Sequence, residues 1–331
     1  MIEKYYNGVI EQVAGGIGNV EHNSILVRYS NDFSIWDLES VNHYKDQTDI
    51  FFTCHEFSYN KIAEAYEPYL GLIRQMFHKY CSGTLEEFME ECDVYKLQRP
   101  VFESYFEKGF CERTEQILID EVEYEQERMH SSIVTMLQKL SEICPIVIVL
   151  NRFQLASKST MQLTNRLLQT KNKNIGIVLG VNDVQSIPEF AHEEWDAICE
   201  SMDDRNMVYH IGNAGRNMEP DVMDYYSDYE SDDGYRKLNN LVYFLDFDQA
   251  DHHLSKIERR IKFDNFTISE KKHYQLLLLQ IMVSVLQRDI AKALESCEDL
   301  EKLQDQEKEG AFYYNFWMAT SYMYLGKLEE A

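Results

Sequence analysis

The stretch Pro145–Gln169, PIVIVLNRFQLASKSTMQLTNRLLQ, decides the fold class of this chain. Its first six residues, Pro145–Leu150, form an apolar run that predicts a strand covered on both faces. A short polar turn then leads into a leucine-rich helical segment that includes Leu163, Leu167 and Leu168. A buried strand followed directly by an amphipathic helix is typical of a parallel α/β sheet.

Four other short apolar runs are predicted to complete the sheet. They are nearly continuous in apolar residues and lie at Ser24–Arg28, Asp49–Cys54, Asn174–Val181 and Met207–Ile211. Helical stripes separate them, within Ser58–Tyr80 and from Ile133 to Ile143. Roughly ninety residues separate the second run from the third, which is too many for a loop, so a helical insertion is expected there.

Composition and charge restrict the functions open to this chain. The 331 residues include 57 acidic and 32 basic side chains, a net charge of −25, and no basic cluster. Nucleic-acid binding needs a clustered basic face, so we expect no nucleic-acid partner for this region. Glycine (14) and proline (5) are scarce, which argues against a turn-rich all-β protein.

Three sequence features predict a cytoplasmic location. The seven cysteines are odd in number and include no CxxC pair, so reduced thiols are expected rather than disulfides or zinc ligands. The first residues, MIEKYYNGVIEQV, lack the apolar core of a signal peptide. The longest apolar runs are too short or too interrupted to span a bilayer, so no membrane partner is expected.

The chain is predicted to divide into an α/β domain and a helical region. Residues 1–215 contain the five predicted strands. Residues 216–234 are strongly acidic and show neither helical nor strand periodicity, which predicts a linker. Residues 235–331 have a helical pattern throughout.

The helical region contains an internal repeat. Three segments align at spacings of 43 and 38 residues: Leu245–Ala250 (LDFDQA), Arg288–Ala293 (RDIAKA) and Gly326–Ala331 (GKLEEA). Such a period is typical of stacked helix–turn–helix units, because no unit can bury its apolar face alone.

The third unit resembles the first helix and turn of a tetratricopeptide repeat (TPR). The matching residues are Trp317, Ala319, Tyr322 or Tyr324, Leu325-Gly326 and Ala331. The first two units lack the glycine. The resemblance implies a second helix after Ala331, so further repeats are expected to follow, and the apolar face of Phe312–Leu325 is expected to lack a cover from this segment.

The sheet region resembles the signal-transduction P-loop NTPases, the STAND or AAA-like ATPases that are fused to TPRs in bacterial regulators. The resemblance covers roughly residues 24–212, and its matches in the stretch quoted first are Gln154, Ala156, Ser159, Thr160, Leu163 and Leu167-Leu168. It implies a parallel α/β sheet of the P-loop NTPase type, followed by an all-α, TPR-like solenoid.

The residues that such an ATPase needs are missing. Phosphate binding requires converging backbone N–H groups, a lysine and a hydroxyl on Mg²⁺, with an acid at the end of the third strand. After the first strand the chain instead has Tyr29, Ser30, Asn31, Asp32, Phe33 and Ser34, and the third strand ends in Asn151 and Arg152. We therefore predict that these eight residues form a degenerate nucleotide pocket, without catalytic residues, metal ligands or a cofactor.

Two other motifs have a plainer interpretation. Gly15–Val20 resembles a phosphate loop, but a strand rather than a helix follows it, so a glycine helix stop is favoured. Asp228, Glu230 and Asp232 alternate as in a calcium loop, but Asp233 stands at the glycine position of that loop. A solvated linker is therefore favoured there.

Together these patterns predict a non-catalytic sensory or scaffolding region of a larger bacterial signalling protein. The sequences of Ser30–Tyr44 and Phe51–Leu70 resemble those of TPR-containing diguanylate cyclases, which implies a C-terminal output domain as a partner. The repeats would bind a protein, a peptide or a small ligand, and the sequence leaves a homodimer open. Two alternatives remain: a nucleotide-dependent STAND ATPase switch of a transcriptional regulator that uses Tyr29–Ile35, and a purely structural adaptor.

Overall fold

A five-stranded, all-parallel sheet organises the first part of the chain. The computed structural model describes residues 2–18, 23–30, 34–45, 47, 49–58, 61–109, 111, 122–170, 172–182, 187–203, 207–211, 231–263, 267–303 and 308–327. The strands lie in the order β2-β3-β4-β1-β5. Their bounds are β1 Ser24–Tyr29, β2 Phe51–Glu56, β3 Ile146–Asn151, β4 Ile175–Asn182 and β5 Val208–Ile211. All five predicted strands are confirmed as one parallel sheet.

Eight helices of the described residues accompany the sheet. They are α1 Ile2–Gly15, α2 Glu39–Lys45, α3 Tyr69–Tyr80, α4 Leu85–Glu91, α5 Arg99–Lys108, α6 Val122–Ile143, α7 Lys158–Gln169 and α8 His192–Asp203. Helices α3–α6 lie between β2 and β3 and form the predicted helical insertion. Helix α1 packs across β1, β3 and β4, and a Cβ atom at Gly176 of β4 would lie 2.7 Å from Val13 Cγ1. Glycine at this position therefore allows the helix to approach the strand closely.

The first helix of the insertion, α3, is shorter than predicted. The apolar stripe predicts a helix within Ser58–Tyr80, but α3 begins only at Tyr69, and turns precede it. Pro68 explains the difference, because proline lacks an N–H group and disfavours helical geometry at the residue before it. Ile62 and Tyr66 are nevertheless buried. The apolar stripe in this segment therefore correctly predicts which residues are buried, but it does not indicate a continuous helix.

The helical region begins at Asp232, slightly before the predicted boundary at 235. It contains α9 Asp232–Tyr243, α10 Phe247–Phe263, α11 Glu270–Leu286, α12 Ile290–Glu301 and α13 Lys308–Tyr324. The side chain of Ser231 caps α9 by accepting a hydrogen bond from the Gly234 N–H group. Residues 212–230, most of the predicted linker, lie outside the described residues. Among the described helices, none combines the length and apolarity needed to cross a membrane.

The three aligned segments share one backbone geometry. Leu245, Arg288 and Gly326 stand at equivalent positions and have left-handed φ angles of 67°, 65° and 71°. In each segment this residue donates its N–H group to the carbonyl three residues earlier. The following N–H group reaches the carbonyl five residues earlier, at 2.8 Å, 2.8 Å and 2.9 Å. These two bonds define a Schellman turn, in which glycine usually occupies the left-handed position. The sequence alignment thus corresponds to a structural repeat, although two of the units lack glycine.

The helices of the repeat region pack in sequence order. Each helix from α9 to α13 contacts the next one, and α11 also contacts both α9 and α13. Ala250 and Ala293, which occupy equivalent positions in the aligned segments, are completely buried. Their small side chains allow the second helix of each unit to pack closely, so the first helices of successive units form a continuous row.

The end of α13 is exposed among the described residues. Met323, Tyr324 and Leu325 are 53%, 42% and 45% exposed, whereas Ser321 is buried. The side chains of residues 312–314 and 317, and all of residues 328–331, lie outside the described part of the chain.

Candidate functional site

The carboxyl edge of the sheet brings together several residues of the predicted pocket. Tyr29, Glu56, Asn151 and Asn182 are the last residues of four strands, and Tyr29 pairs with Asn182 in the sheet register, as Glu56 does with Asn151. The chain leaves β1 towards β2 at one edge of the sheet and later places β5 on the other side of β1. Ligands of open α/β sheets bind outside the carboxyl ends of the strands, where the strand order reverses in this way.

Tyrosine side chains fill this edge above β4. The Tyr29 hydroxyl group donates a hydrogen bond of 2.8 Å to Asn151 Oδ1, and both residues are buried. Gly180 of β4 lies beneath them, since a Cβ atom there would collide with the Tyr6 hydroxyl group and lie 2.6 Å from Asn151 Oδ1. Tyr6 of α1 and Tyr29 therefore occupy the space directly over the strand.

The Glu56 carboxylate holds the chain that follows β1. Its Oε2 atom accepts hydrogen bonds from the Ile35 N–H group at 3.0 Å and from the Ser34 hydroxyl group at 3.2 Å. Its Oε1 atom lies 2.8 Å from a guanidinium nitrogen of Arg152, and the Glu56 side chain is only 9% exposed. One carboxylate thus receives a backbone N–H group, a hydroxyl group and a guanidinium group, which are the types of donor that commonly bind phosphates in proteins.

The structure tests the predicted pocket residue by residue. Tyr29, Ser34, Asn151 and Arg152 do come together, whereas Ser30 follows the end of β1 and is partly exposed. Asn31, Asp32 and Phe33 lie outside the described residues. Arg152 has a left-handed φ of 54°, which is unusual for a residue with a side chain and costs about 1–2 kcal/mol. Its ion pair with Glu56 stabilises this conformation.

Glu56 was not among the predicted site residues. The apolar run predicts that β2 ends at Cys54, whereas the strand continues to Glu56 and pairs there with the end of β3. The available signal was a glutamate just after an apolar strand, at the edge where Asn151 and Arg152 were already expected. Its partners could not be read from the sequence, because Ser34 and Arg152 are distant from it along the chain.

A second polar site joins the sheet region to the repeats. Asp246 lies in the first repeat turn, and its Oδ2 atom accepts a 2.8 Å hydrogen bond from the Ser159 N–H group at the start of α7. Its Oδ1 atom accepts a 3.4 Å bond from the Gln249 N–H group of α10. Burial raises the pKa of Asp246, and the hydrogen bonds from Ser159 and Gln249 oppose that rise. One carboxylate therefore caps two helices that belong to different parts of the molecule.

An ion pair strengthens the same junction. The guanidinium group of Arg236, on α9, lies 2.6 Å from Glu64 Oε1, and Asn240 of α9 donates to Glu64 Oε2 at 3.2 Å. Burial raises the pKa of Glu64, while the charge of Arg236 acts in the opposite direction. Glu64 belongs to the segment before α3, so the first repeat helix is tied directly to the insertion.

Apolar contacts complete the junction around Phe244. This completely buried residue ends α9, and its ring lies 5.8 Å from that of Tyr66, 5.9 Å from Phe102 and 5.5 Å from Tyr105. These edge-to-face and tilted arrangements are the geometries that aromatic rings prefer. The sheet region and the first repeat therefore share one hydrophobic core.

The remaining sequence motifs do not form a site in the described part of the chain. All seven cysteines are free thiols, and no group of three or more His, Cys, Asp or Glu residues is arranged to hold a metal ion there. Asp232 and Asp233 lie in the first turn of α9, while Asp228 and Glu230 of the calcium-like pattern are not described. Gly15 ends α1, and Asn19 and Val20 lie outside the described residues.

Comparisons with known proteins give no relative for this chain. No protein-family model matches it, and neither the curated proteins nor the solved structures yield a significant match. Inference about its function therefore depends on the geometry of its own residues.

Proposed function

We propose that this chain is a non-catalytic sensory and scaffolding region of a larger bacterial signalling protein. In this proposal the α/β part is a degenerate P-loop NTPase-like domain, and the helices that follow are TPR-like repeats. The observation that carries the proposal is the Glu56 carboxylate, which accepts hydrogen bonds from Ser34 and Ile35 and pairs with Arg152.

Electrostatics explain why this arrangement disfavours a nucleotide. A phosphate group would need the same donors that Glu56 already uses, and it would have to enter beside a carboxylate of the same charge. The Tyr29 and Tyr6 side chains also fill the space above β4. These contacts support a pocket that serves the fold and performs no hydrolysis.

The repeat geometry supports a binding role for the helical region. Three equivalent turns and the row formed by α9, α11 and α13 are the features expected of a solenoid. Solenoids present extended surfaces to proteins and peptides. We propose that these repeats bind such a partner and pass the signal to an output domain, of which a diguanylate cyclase is the first candidate, in the cytoplasm.

The absence of nucleotide binding is directly testable. We expect no change in melting temperature when the protein of residues 1–331 is heated with millimolar ATP or GTP and Mg²⁺. A ligand at a hundredfold excess over its Kd would add about 2.7 kcal/mol of stability, so tight binding could not escape detection.

Site-directed variants make this test specific. A rise of several degrees that is lost in an Arg152→Ala variant and retained in an Arg74→Ala variant, at the partly exposed Arg74 of α3, would contradict the proposal. That result would favour the nucleotide-dependent ATPase switch. The output is tested in the longer protein. If cyclic dinucleotide synthesis from GTP is absent with and without residues 1–331, the diguanylate cyclase assignment fails. If synthesis is present and equal in the two forms, the regulatory role of residues 1–331 fails.

A further inference from the structure

A polar cleft lies between the sheet region and the repeat turns. It has a volume of about 590 Å³, with α6 and α7 on one side and the turns at Leu245 and Arg288 on the other. A neighbouring recess of about 670 Å³ shares three lining residues with it, Glu123, Gln126 and Gln162. The recess continues along α6 and α7 as far as Glu194 of α8. The two spaces thus form one elongated cleft.

Negative charge predominates in this cleft. Its carboxylates are Glu123, Glu127, Glu194, Asp246 and Asp248, and its basic side chains are Lys158, Arg166 and Arg288. Lys158 is neutralised by Asp248 at 2.6 Å, and Arg166 by Glu127 at 2.6 Å. Glu194 lies farther from Lys158, at 3.6 Å. The charge balance favours a cationic ligand over an anionic one.

Three glutamines add hydrogen-bond acceptors to the cleft wall. Each uses its Nε2 group within the protein: Gln126 donates to the Leu245 carbonyl, Gln162 to Glu194 and Gln287 to Asp248. A glutamine amide has two N–H groups and one oxygen, so with one N–H group engaged in this way it presents its oxygen as an acceptor and keeps one donor. A ligand in the cleft would therefore meet three amide oxygens in addition to the carboxylates.

Two buried polar atoms lack a partner among the described residues of the chain. They are His130 Nε2 and Glu194 Oε2, and both residues line the recess. His130 is only 9% exposed, and burial lowers the pKa of its ring to about 4, with Arg166 acting in the same direction. The imidazole is therefore neutral near pH 7 and does not repel a cation. Buried polar atoms are nearly always hydrogen-bonded, to protein groups or to ordered water, so each of these two atoms can take a partner from outside the chain.

We propose that this cleft binds a small linear polyamine. An ammonium group has three donors and no acceptor, which complements a wall of carboxylate and amide oxygens. An elongated molecule with several ammonium groups can meet Glu194 in the recess and Glu123, which lines both spaces, at the same time. Binding of the polyamine depends on the cleft alone. The further statement that the polyamine is the signal sensed by this region rests on the proposed function.

Both sides of the cleft would respond to such a ligand. Its walls come from α6 and α7 of the sheet region and from the turns at Leu245 and Arg288 of two successive repeats. A bound polycation would reduce the repulsion between carboxylates on the two sides and stabilise their present arrangement. The ligand would thereby couple the sheet region to the repeats.

Calorimetric titration of spermidine into the protein of residues 1–331 tests the proposal. Because the chain has a net charge of −25, any cation is attracted weakly, and control variants must remove the same charge elsewhere. We expect saturable binding that weakens about tenfold or more in Glu194→Gln and in Glu123→Gln, since each removes a charged hydrogen-bond acceptor. Glu123 is exposed, so its substitution leaves the fold intact. Glu301→Gln, at an exposed residue at the end of α12, should bind as tightly as the unaltered protein.

Each outcome has a defined meaning. The polyamine site is overturned if the titration shows no saturable heat of spermidine binding. It is also overturned if Glu301→Gln weakens spermidine binding as much as the cleft variants do. Tighter binding of a trilysine peptide than of spermidine overturns the free polyamine in favour of lysine side chains of a protein. Binding of Mg²⁺ with the same affinity and the same loss in Glu194→Gln reduces the site to a general cation site. None of these results concerns nucleotide binding, so they do not bear on the degenerate pocket.

Discussion

Asp246 joins two helices through a single side chain. Its carboxylate accepts hydrogen bonds from the N–H groups of Ser159 in α7 and Gln249 in α10, and it is almost completely buried. Asp246→Ala would leave both donors without a partner, and we expect it to lower the free energy of unfolding by about 2–3 kcal/mol. Urea unfolding followed by circular dichroism measures this loss.

Asp289 provides the matched control for that substitution. It holds the equivalent position in the second repeat and caps α12 by accepting from the Lys292 N–H group at 3.2 Å, but it is exposed. Asp289→Ala should cost only about 1 kcal/mol, the usual value of an exposed cap. Equal losses in the two variants would show that the bond from Asp246 to Ser159 contributes nothing.

His253 makes stability depend on pH. It is buried in α10 next to Gln249, and burial lowers the pKa of its ring to about 3, with smaller effects from His252 and Lys256. The unfolded chain, with a histidine pKa near 6.5, therefore binds a proton at a higher pH than the folded chain. The stability from this group is complete above pH 6.5 and is lost as the pH falls from there towards 3.

Comparison with a His253→Gln variant isolates this contribution. As the pH falls from 6.5 to 5, the stability of the unaltered protein should fall relative to the variant, with a slope that approaches about 1.4 kcal/mol per pH unit. Urea unfolding at several pH values gives both curves. Parallel curves would mean that the pKa of His253 is the same in the folded and the unfolded protein.

At the scale of elements, the repeat turns show how geometry persists when the expected residue is absent. Arg288 adopts the left-handed conformation that Gly326 adopts in the third unit. A side chain in this conformation costs about 1 kcal/mol relative to glycine, so Arg288→Gly should be more stable than Arg288→Ala by about that amount. Thermal unfolding of the two variants measures the difference. The comparison with alanine removes the effect of losing the arginine side chain, and a more stable alanine variant would contradict the turn geometry.

The segment before α3 shows the limit of pattern reading for an element. Its apolar residues are buried as the stripe suggests, yet the helix starts only after Pro68. Periodicity reports which residues face a core, whereas the backbone path also depends on proline and on partners from elsewhere. Here Glu64, within the turns, pairs with Arg236 of the distant α9.

At the scale of the whole molecule, Phe244 predicts that the sheet region and the first repeat unfold together. Its ring packs against Tyr66, Phe102 and Tyr105, all of which belong to the insertion of the sheet region. Phe244→Ala would leave a cavity in this shared core and should cost about 3–5 kcal/mol. Hydrogen exchange followed by mass spectrometry should show faster exchange in both α5 and α9.

Leu300 offers a control for this effect. It is completely buried in α12, away from the sheet region in sequence and in its helix contacts. Leu300→Ala should therefore raise exchange mainly in the later repeats. If Phe244→Ala raises hydrogen exchange in α9 alone, the sheet region and the repeats are independent folding units. The shared core then does not couple the unfolding of one to that of the other.

The sequence by itself determined the parallel sheet and the repeat positions. Continuous apolar runs such as Pro145–Leu150 are typical of strands buried on both faces, and the aligned segments at Leu245, Arg288 and Gly326 mark turns of one type. Both signals are local, since they depend on residues that are neighbours along the chain. The absence of glycine and lysine from the segment directly after β1 was equally visible, for the same reason.

Only the tertiary structure decided which side chains meet. Glu56 and Arg152 come from different strands, Asp246 and Ser159 from different regions, and the cleft between α6, α7 and the repeat turns is lined by segments far apart in sequence. Such contacts depend on strand order and helix packing, which one sequence does not specify residue by residue. Electrostatic interactions and hydrogen bonds act over a few ångströms in space, so their partners become known only when the fold has brought them together.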